Sequence, residues 1–282
     1  MAVTMKRKRL IYPSKSSTRV YLQTLVDSGL ARRSTTRMVA GAFYIPKQNP
    51  AKPLGEDAHF ICSEAQTIGV ADGVGGWAKM GIDTGEYARE LMYNAVLSVR
   101  HQIHTVGSVD PMNALDEAYV DTDAEGSSTA CILTLVDDCV IAVNVGDSGF
   151  AVLRGGKIVF HSPAQQSRFN CPVQLGKTCD DSSVAEKFEV KVKPGDIIVM
   201  ATDGLFDNVH EHELEDLVSA ECRLDDKKPM KLARKIARYA LNNSENENIH
   251  TPFSAATRIA GIDEDAIGGK YDDITVVVAY IQ

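Results

Sequence analysis

Five aspartates stand at the ends of apolar stretches, each beside a glycine or another acid: Asp57, Asp72, Asp147, Asp203 and Asp272. One such aspartate is most simply a turn residue, because its carboxylate bonds to nearby backbone. Five are harder to explain that way. Strand ends on one side of a sheet meet in space, and clustered carboxylates repel unless a cation neutralises them. The seven histidines (59, 101, 104, 161, 210, 212 and 250) show no HExxH-like spacing, and the six cysteines form no CxxC. Zinc is therefore not expected, and an oxygen-only site favours Mg²⁺ or Mn²⁺. The spacing is not that of an EF-hand loop. Two such ions bridged by a carboxylate would generate a hydroxide nucleophile and stabilise charge at phosphorus. No GxxxxGK[ST] loop is present for a nucleoside triphosphate, and no Cys or Ser stands in a nucleophile motif. These residue types favour metal-assisted hydrolysis of a phosphoester.

The elements around these residues are readable. Ile68 to Ala71 is a short apolar run ending in Asp72 and then in Gly73, Gly75 and Gly76, a strand entering a tight turn. Met38 to Ile45 reads as a strand stopped by Pro46, and Glu56-Asp57 opens another. Residues 84–100 carry Tyr87, Ala88, Leu91, Met92, Ala95, Val96 and Val99 on one helical face. Asp110-Pro111 starts a second helix that ends near Asp121. Strands follow at 130–136, 140–145, 150–153 and 158–161, the last two joined by a Gly155-Gly156 hairpin. Residues 162–187 lack periodicity and read as a long loop or flap. Two strands, 188–192 and 197–201, precede helices at about 211–220, 229–242 and 253–260 and a last strand, 274–281. Strands and helices segregate, which predicts an α+β fold with antiparallel sheets.

The 282 residues suffice for one large domain or two small ones. No apolar run reaches the roughly 18–20 residues of a membrane span, and no internal repeat is visible. Charge is uneven. Residues 1–54 carry net +10, and the remainder carries net −18. An acidic body argues against a nucleic-acid surface, which needs clustered Lys/Arg. The cysteines read as buried, reduced thiols and fit a reducing compartment. Residues 1–37 hold Lys6-Arg7-Lys8-Arg9, ten Ser/Thr and one acid. They fit an organelle transit peptide, a nuclear-import patch or a disordered basic tail. The folded domain is expected over 38–282.

Six stretches together resemble a known family. They are Glu56 to His59, Asp72 to Gly76, Gly126 to Ala130, Asn144 to Ser148, Ala201 to Asn208 and Asp272 to Val276. In order and type they are similar to the motifs of the metal-dependent protein serine/threonine phosphatases, type 2C (PPM). The Asp-Gly-Val-Gly-Gly-Trp form, Gln165-Gln166 with Phe169-Asn170, and Gly268-Gly269-Lys270 resemble a branch acting in mitochondria and plastids. The resemblance implies a four-layer αββα sandwich with two central antiparallel sheets. It implies that Asp72 bridges two Mn²⁺ or Mg²⁺ ions and that Gly73 gives one of them a backbone carbonyl. Asp57, Asp203 and Asp272 would ligate the other ion or its waters, Glu56 would act through water, and Asp147 would hold a weaker third metal. A hydroxide between the ions would attack phosphoserine or phosphothreonine, in a monomer acting on a phosphoprotein.

Two positions depart from the family pattern. Val74 stands where a histidine often serves as general acid, and valine cannot transfer a proton. Lys52, four before Glu56, stands near the place of a phosphate-binding arginine, and lysine offers a point charge where arginine offers a fork. Two alternatives stay open: a binding module on an inactive phosphatase fold, which Val74 would suit, and a phosphatase of a small phosphorylated metabolite. Assay separates them.

Overall fold

The structure is a computed structural model that describes residues 36–222 and 228–282. Of the basic segment 1–37, all but Thr36 and Arg37 lies outside the described residues. The chain runs β1 (Met38–Ile45), β2 (Asp57–Cys62), β3 (Thr67–Asp72), a 3-10 turn (Gly75–Met80), α1 (Thr84–Thr105) and α2 (Pro111–Asp121). Next come β4 (Ala130–Val136), β5 (Cys139–Val145), β6 (Gly149–Arg154), β7 (Lys157–His161) and the short pair β8 (Gln166–Arg168) and β9 (Cys171–Pro172). A 3-10 turn (Ser182–Val184), β10 (Glu186–Lys191), β11 (Ile197–Ala201) and the single turn α3 (Asp203–Phe206) follow. Helices α4 (Glu211–Cys222), α5 (Pro229–Ser244) and α6 (Pro252–Ile259) precede β12 (Ile274–Ile281).

Two five-stranded sheets form, ordered β1-β12-β11-β6-β7 and β10-β5-β4-β3-β2. Every named strand pair in them is antiparallel. Alternation along each strand explains the layering, because successive side chains point to opposite faces. In β12, Ile274, Val276 and Val278 pack with α5 residues such as Leu232 and Ile236. The alternate residues Val277, Ala279 and Ile281 pack with Ile68, Val70 and Leu133 of the other sheet. Strand β4 divides the same way, giving Ile132 to α1 and α2 and Leu133 to the inter-sheet layer. A strand buried on both faces must be apolar at every position, and all eight residues of β12 are buried. The result is helix, sheet, sheet, helix, the four layers expected.

Helix α1 runs to Thr105, beyond the expected residue 100. Gln102 there is buried and bonds both ways to the backbone of Asp110, so a polar residue sits on the inner face. The expected turn at Gly75 is a 3-10 helix, and Asp203 opens a single helical turn just after its strand. Residues 162–187 contain a two-stranded hairpin and already begin β10. Of the five cysteines with described side chains, all free, Cys62 and Cys131 are buried. Cys139 and Cys171 are half-buried and Cys179 is exposed, so the expectation of uniform burial is corrected there.

Candidate metal centre

The acids gather because their strands end together. Asp57 and Asp72 are directly opposed on β2 and β3. Such pairs share a face at about 4.5–5.5 Å between Cβ atoms, and like charges there are destabilising. In the other sheet, Ala201 pairs with Val276 and with Gly149. That register brings Asp203, just after β11, Asp272, just before β12, and Asp147, just before β6, to one edge. The two sheets meet at this end. Asp57 Oδ2 accepts hydrogen bonds from Thr202 Oγ1 and Thr275 Oγ1, each 2.8 Å, across the inter-sheet boundary.

Asp72, Asp203, Asp272 and Glu56 line a cleft of about 310 Å³ with Lys47, Lys270 and the Gly73 to Gly76 turn. Gly73 is glycine for a packing reason as well as a chemical one. A Cβ there would lie 2.5 Å from the Thr84 carbonyl and 2.9 Å from that of Glu56. Val74 lines the cleft, and its N–H donates to Ser127 O at 3.0 Å. Lys52 is ion-paired with Glu56. It is not one of the cleft's lining residues; Lys47 is, with Nζ 3.7 Å from Asp272 Oδ1. Asp147 takes a bond from Gln166 Nε2 at 2.8 Å, which ties the β8–β9 hairpin to the acids.

Electrostatics mark the centre as short of positive charge. Burial, then the charges of Asp203, Asp57 and Asp272, hold the Asp72 carboxyl well above the usual range. Burial and then Asp273 do the same to Asp57, against its two hydroxyl donors. Burial and Asp203 raise Asp272 and push Asp147 up to about 6. Burial pushes Asp207 up to about 7 in spite of its bond to Lys270.

The donor set fits a hard divalent cation. It is all oxygen, and Oδ1 of Asp57, Asp147 and Asp203 are each buried without a hydrogen-bond partner among the described residues. A buried acceptor without a partner costs about 1–3 kcal/mol, and a cation removes that cost. As the side chains stand, no three carboxylates among the described residues converge tightly enough to coordinate an ion. The ammonium of Lys270 lies among them.

Sequence reading missed Lys270, Asp207 and Asp273 as parts of this centre. Asp273 is buried and binds Tyr44 Oη (2.7 Å) and the N–H groups of Lys47 (2.9 Å) and Glu56 (3.2 Å). It fastens the 46–56 loop to the site. Its signal was the second acid of Asp272-Asp273; Asp207 lay in the Ala201 to Asn208 motif, and Lys270 followed two glycines.

Comparison with known proteins adds the lineage. The sequence profile of the family described as Protein phosphatase 2C matches residues 187–249. Probable protein phosphatase 2C 55 of Arabidopsis thaliana is 47% identical over 261 residues, 90% of this chain and 54% of that protein. The chain thus spans about half the length of that relative. Putative protein phosphatase 2C 24 of Oryza sativa subsp. japonica is 40% identical over 87% of this chain and 77% of its own length. Among solved structures, the photosystem II phosphatase PBCP superposes with a TM-score of 0.79 at 29% identity, covering 87% of this chain and 99% of that one. With its motifs in order and its fold shared, the chain belongs to the protein phosphatase 2C family.

Proposed function

We propose that the chain hydrolyses phosphoserine and phosphothreonine in proteins, using two Mn²⁺ or Mg²⁺ ions. The observation that carries this is the opposed Asp57–Asp72 pair at a sheet end where three carboxylate oxygens have no hydrogen-bond partner among the described residues. Asp57, Asp72, Asp203 and Asp272 hold the ions, with the Gly73 carbonyl and, through water, Glu56; Asp147 is the place for a weaker third. The ions supply a nucleophile from water and the charge that a phosphoryl centre needs.

The remaining work falls to this chain's own groups. Thr202 and Thr275 orient Asp57 through its Oδ2. Lys47, at the cleft wall, meets the phosphate from outside; Lys52 acts on it only through Glu56. Val74 gives no proton, so water protonates the leaving oxygen. A positioned acid contributes about 10²–10⁴-fold, and turnover of poor leaving groups is lower by that order. The peptide lies in the adjoining cleft of about 620 Å³ between Trp77, Met80 and the β8–β9 hairpin, which shares Val74, Gly76, Asn170 and Pro172 with the acidic one.

The test is phosphate release from a phosphothreonine peptide by the full chain, with Mn²⁺, with Mg²⁺ and with chelator. Metal-dependent, chelator-sensitive release is expected. Folded protein that releases nothing with either ion would move the chain to the binding-module reading.

We also place the protein in a plastid or mitochondrion. The acid-poor basic segment 1–37 and the likeness to a photosystem II phosphatase support this. Among the described residues no helix is long and apolar enough to cross a membrane. Uptake of the labelled chain by isolated chloroplasts or mitochondria is the check, and uptake by neither would refute it.

A further inference from the structure

The group in the centre that nothing above explains is Lys270. Its ammonium contacts the carboxylates of Asp203, Asp207 (2.8 Å) and Asp272 (3.3 Å), with the Phe253 ring centroid 5.6 Å away. A surface lysine is a flexible, hydrated point charge. This one is 15% exposed, and its backbone is fixed. Lys270 N donates to Asn208 Oδ1 and Lys270 O accepts from Asn208 Nδ2, each at 2.8 Å. Asn208 is fully buried, and its own carbonyl is held by Asn243 Nδ2 at 2.8 Å. Gly269 lies so close to α5 that a Cβ would stand 2.2 Å from Asn243 O. Gly268 O takes a bond of 2.7 Å from the Thr251 hydroxyl at the α6 N-cap. The loop therefore delivers the ammonium to a set place.

We propose that Lys270 is a resident counter-cation of the centre: its ammonium holds Asp203, Asp207 and Asp272 while no divalent ion is bound there, and it gives way when one binds. The inference rests on the metal reading of the centre. It accounts for acids that share an ammonium and, among the described residues, do not converge for coordination. It also orders the centre. This divides the centre differently from the resemblance, which grouped Asp57 with Asp203 and Asp272: the Asp57–Asp72 pair has no ammonium in contact among the described residues and fills first. The Asp203 side must first release a cation and fills more weakly. Removing the lysine charge then strengthens metal binding instead of weakening it, the reverse of what a ligand or a supporting residue would do.

The test titrates Mn²⁺ calorimetrically into the full chain, wild type and Lys270→Met, and measures the thermal midpoint of each with chelator and with saturating Mn²⁺. The expected result is a weaker Mn²⁺ step at least tenfold tighter in Lys270→Met. The chelated variant melts lower than wild type, and saturating Mn²⁺ closes most of the gap. A lysine that is only a strut would lower both midpoints equally and leave both affinities unchanged, which overturns the proposal. If wild type binds and the variant binds no tighter, the proposal alone falls. If neither takes up Mn²⁺, the metal reading falls and the proposal with it. Wild-type protein gives a check that needs no variant. Acylation of Lys270 by an amine-reactive ester, followed by mass spectrometry, should quicken several-fold on adding Mn²⁺, and an unchanged rate also overturns the proposal.

Discussion

The two halves of the acidic centre solve one problem differently. On the β2–β3 side, Asp57 is held by neutral hydroxyls from Thr202 and Thr275, and its other oxygen has no hydrogen-bond partner among the described residues. On the β11–β12 side, Asp203, Asp207 and Asp272 share an ammonium. Hydroxyls orient a carboxylate without neutralising it, so the first half keeps its need for an external cation. The lysine neutralises part of the second half, so its need is smaller. Preorganisation and charge balance are thus separable, and one site can use both.

Replacing Asp72 breaks the comparison most severely, because this residue faces both halves. Asp72→Ala is expected to lower metal-dependent phosphate release by at least about 10²–10³-fold, while the protein stays folded by circular dichroism. Full activity with Mn²⁺ would refute the two-ion arrangement.

Acidity comes next. Asp147 and Asp207 hold protons up to about pH 6 and about pH 7, against an ordinary 3.8. Between those limits the folded state binds more protons than the unfolded one. The metal-free protein must therefore lose stability as pH rises from about 4 to about 7, on the order of 3 kcal/mol for Asp147 alone. Urea melts across that range, with chelator and with Mn²⁺, test it. The slope should flatten when the ion supplies the charge, and a chelated protein more stable at pH 7 than at pH 5 would contradict it.

Packing at Gly73, just after Asp72, is the third probe. Gly73→Ala places a methyl against the Thr84 and Glu56 carbonyls, an overpacking that costs about 1–3 kcal/mol. A lowered urea midpoint at unchanged m-value is the expected reading. The smallest effect belongs to the hydroxyls. Thr275→Val removes one donor to Asp57 with little change of shape. Loss of an outer-shell partner weakens metal binding about 10–100-fold, and calorimetry should show that loss in the tighter Mn²⁺ step. Lys270→Met moves the weaker step the other way, so the pair of variants sharpens the contrast between the halves.

Much of this was legible in the sequence. The carboxylates stood out because each ends an apolar strand, and a strand buried on both faces, such as Ile274 to Ile281, has no polar alternation to blur it. Glycines after Asp72 marked the turn. Lys270 was not legible as part of the centre, because its place depends on Asn208, 62 residues away in the chain. Asp273 reads like a second copy of Asp272, and only the fold turns it towards Tyr44 and the 46–56 loop. The last turn of α1 escaped because Gln102 breaks the apolar pattern while burying its amide against Asp110. Long-range hydrogen bonding leaves no periodic trace.

The Thr202 and Thr275 hydroxyls reach Asp57 from the opposite sheet, so the residue proposed to offer an oxygen to an ion is also a stitch in the seam of the sandwich. An ion seated there would act as a rivet as well as a reagent. Ligand that binds only the folded form adds RT ln(1 + [L]/Kd) to its stability. The lifetime of this protein against proteases should then follow the supply of divalent metal in its surroundings, and scarcity of the ion would reduce how much folded protein persists.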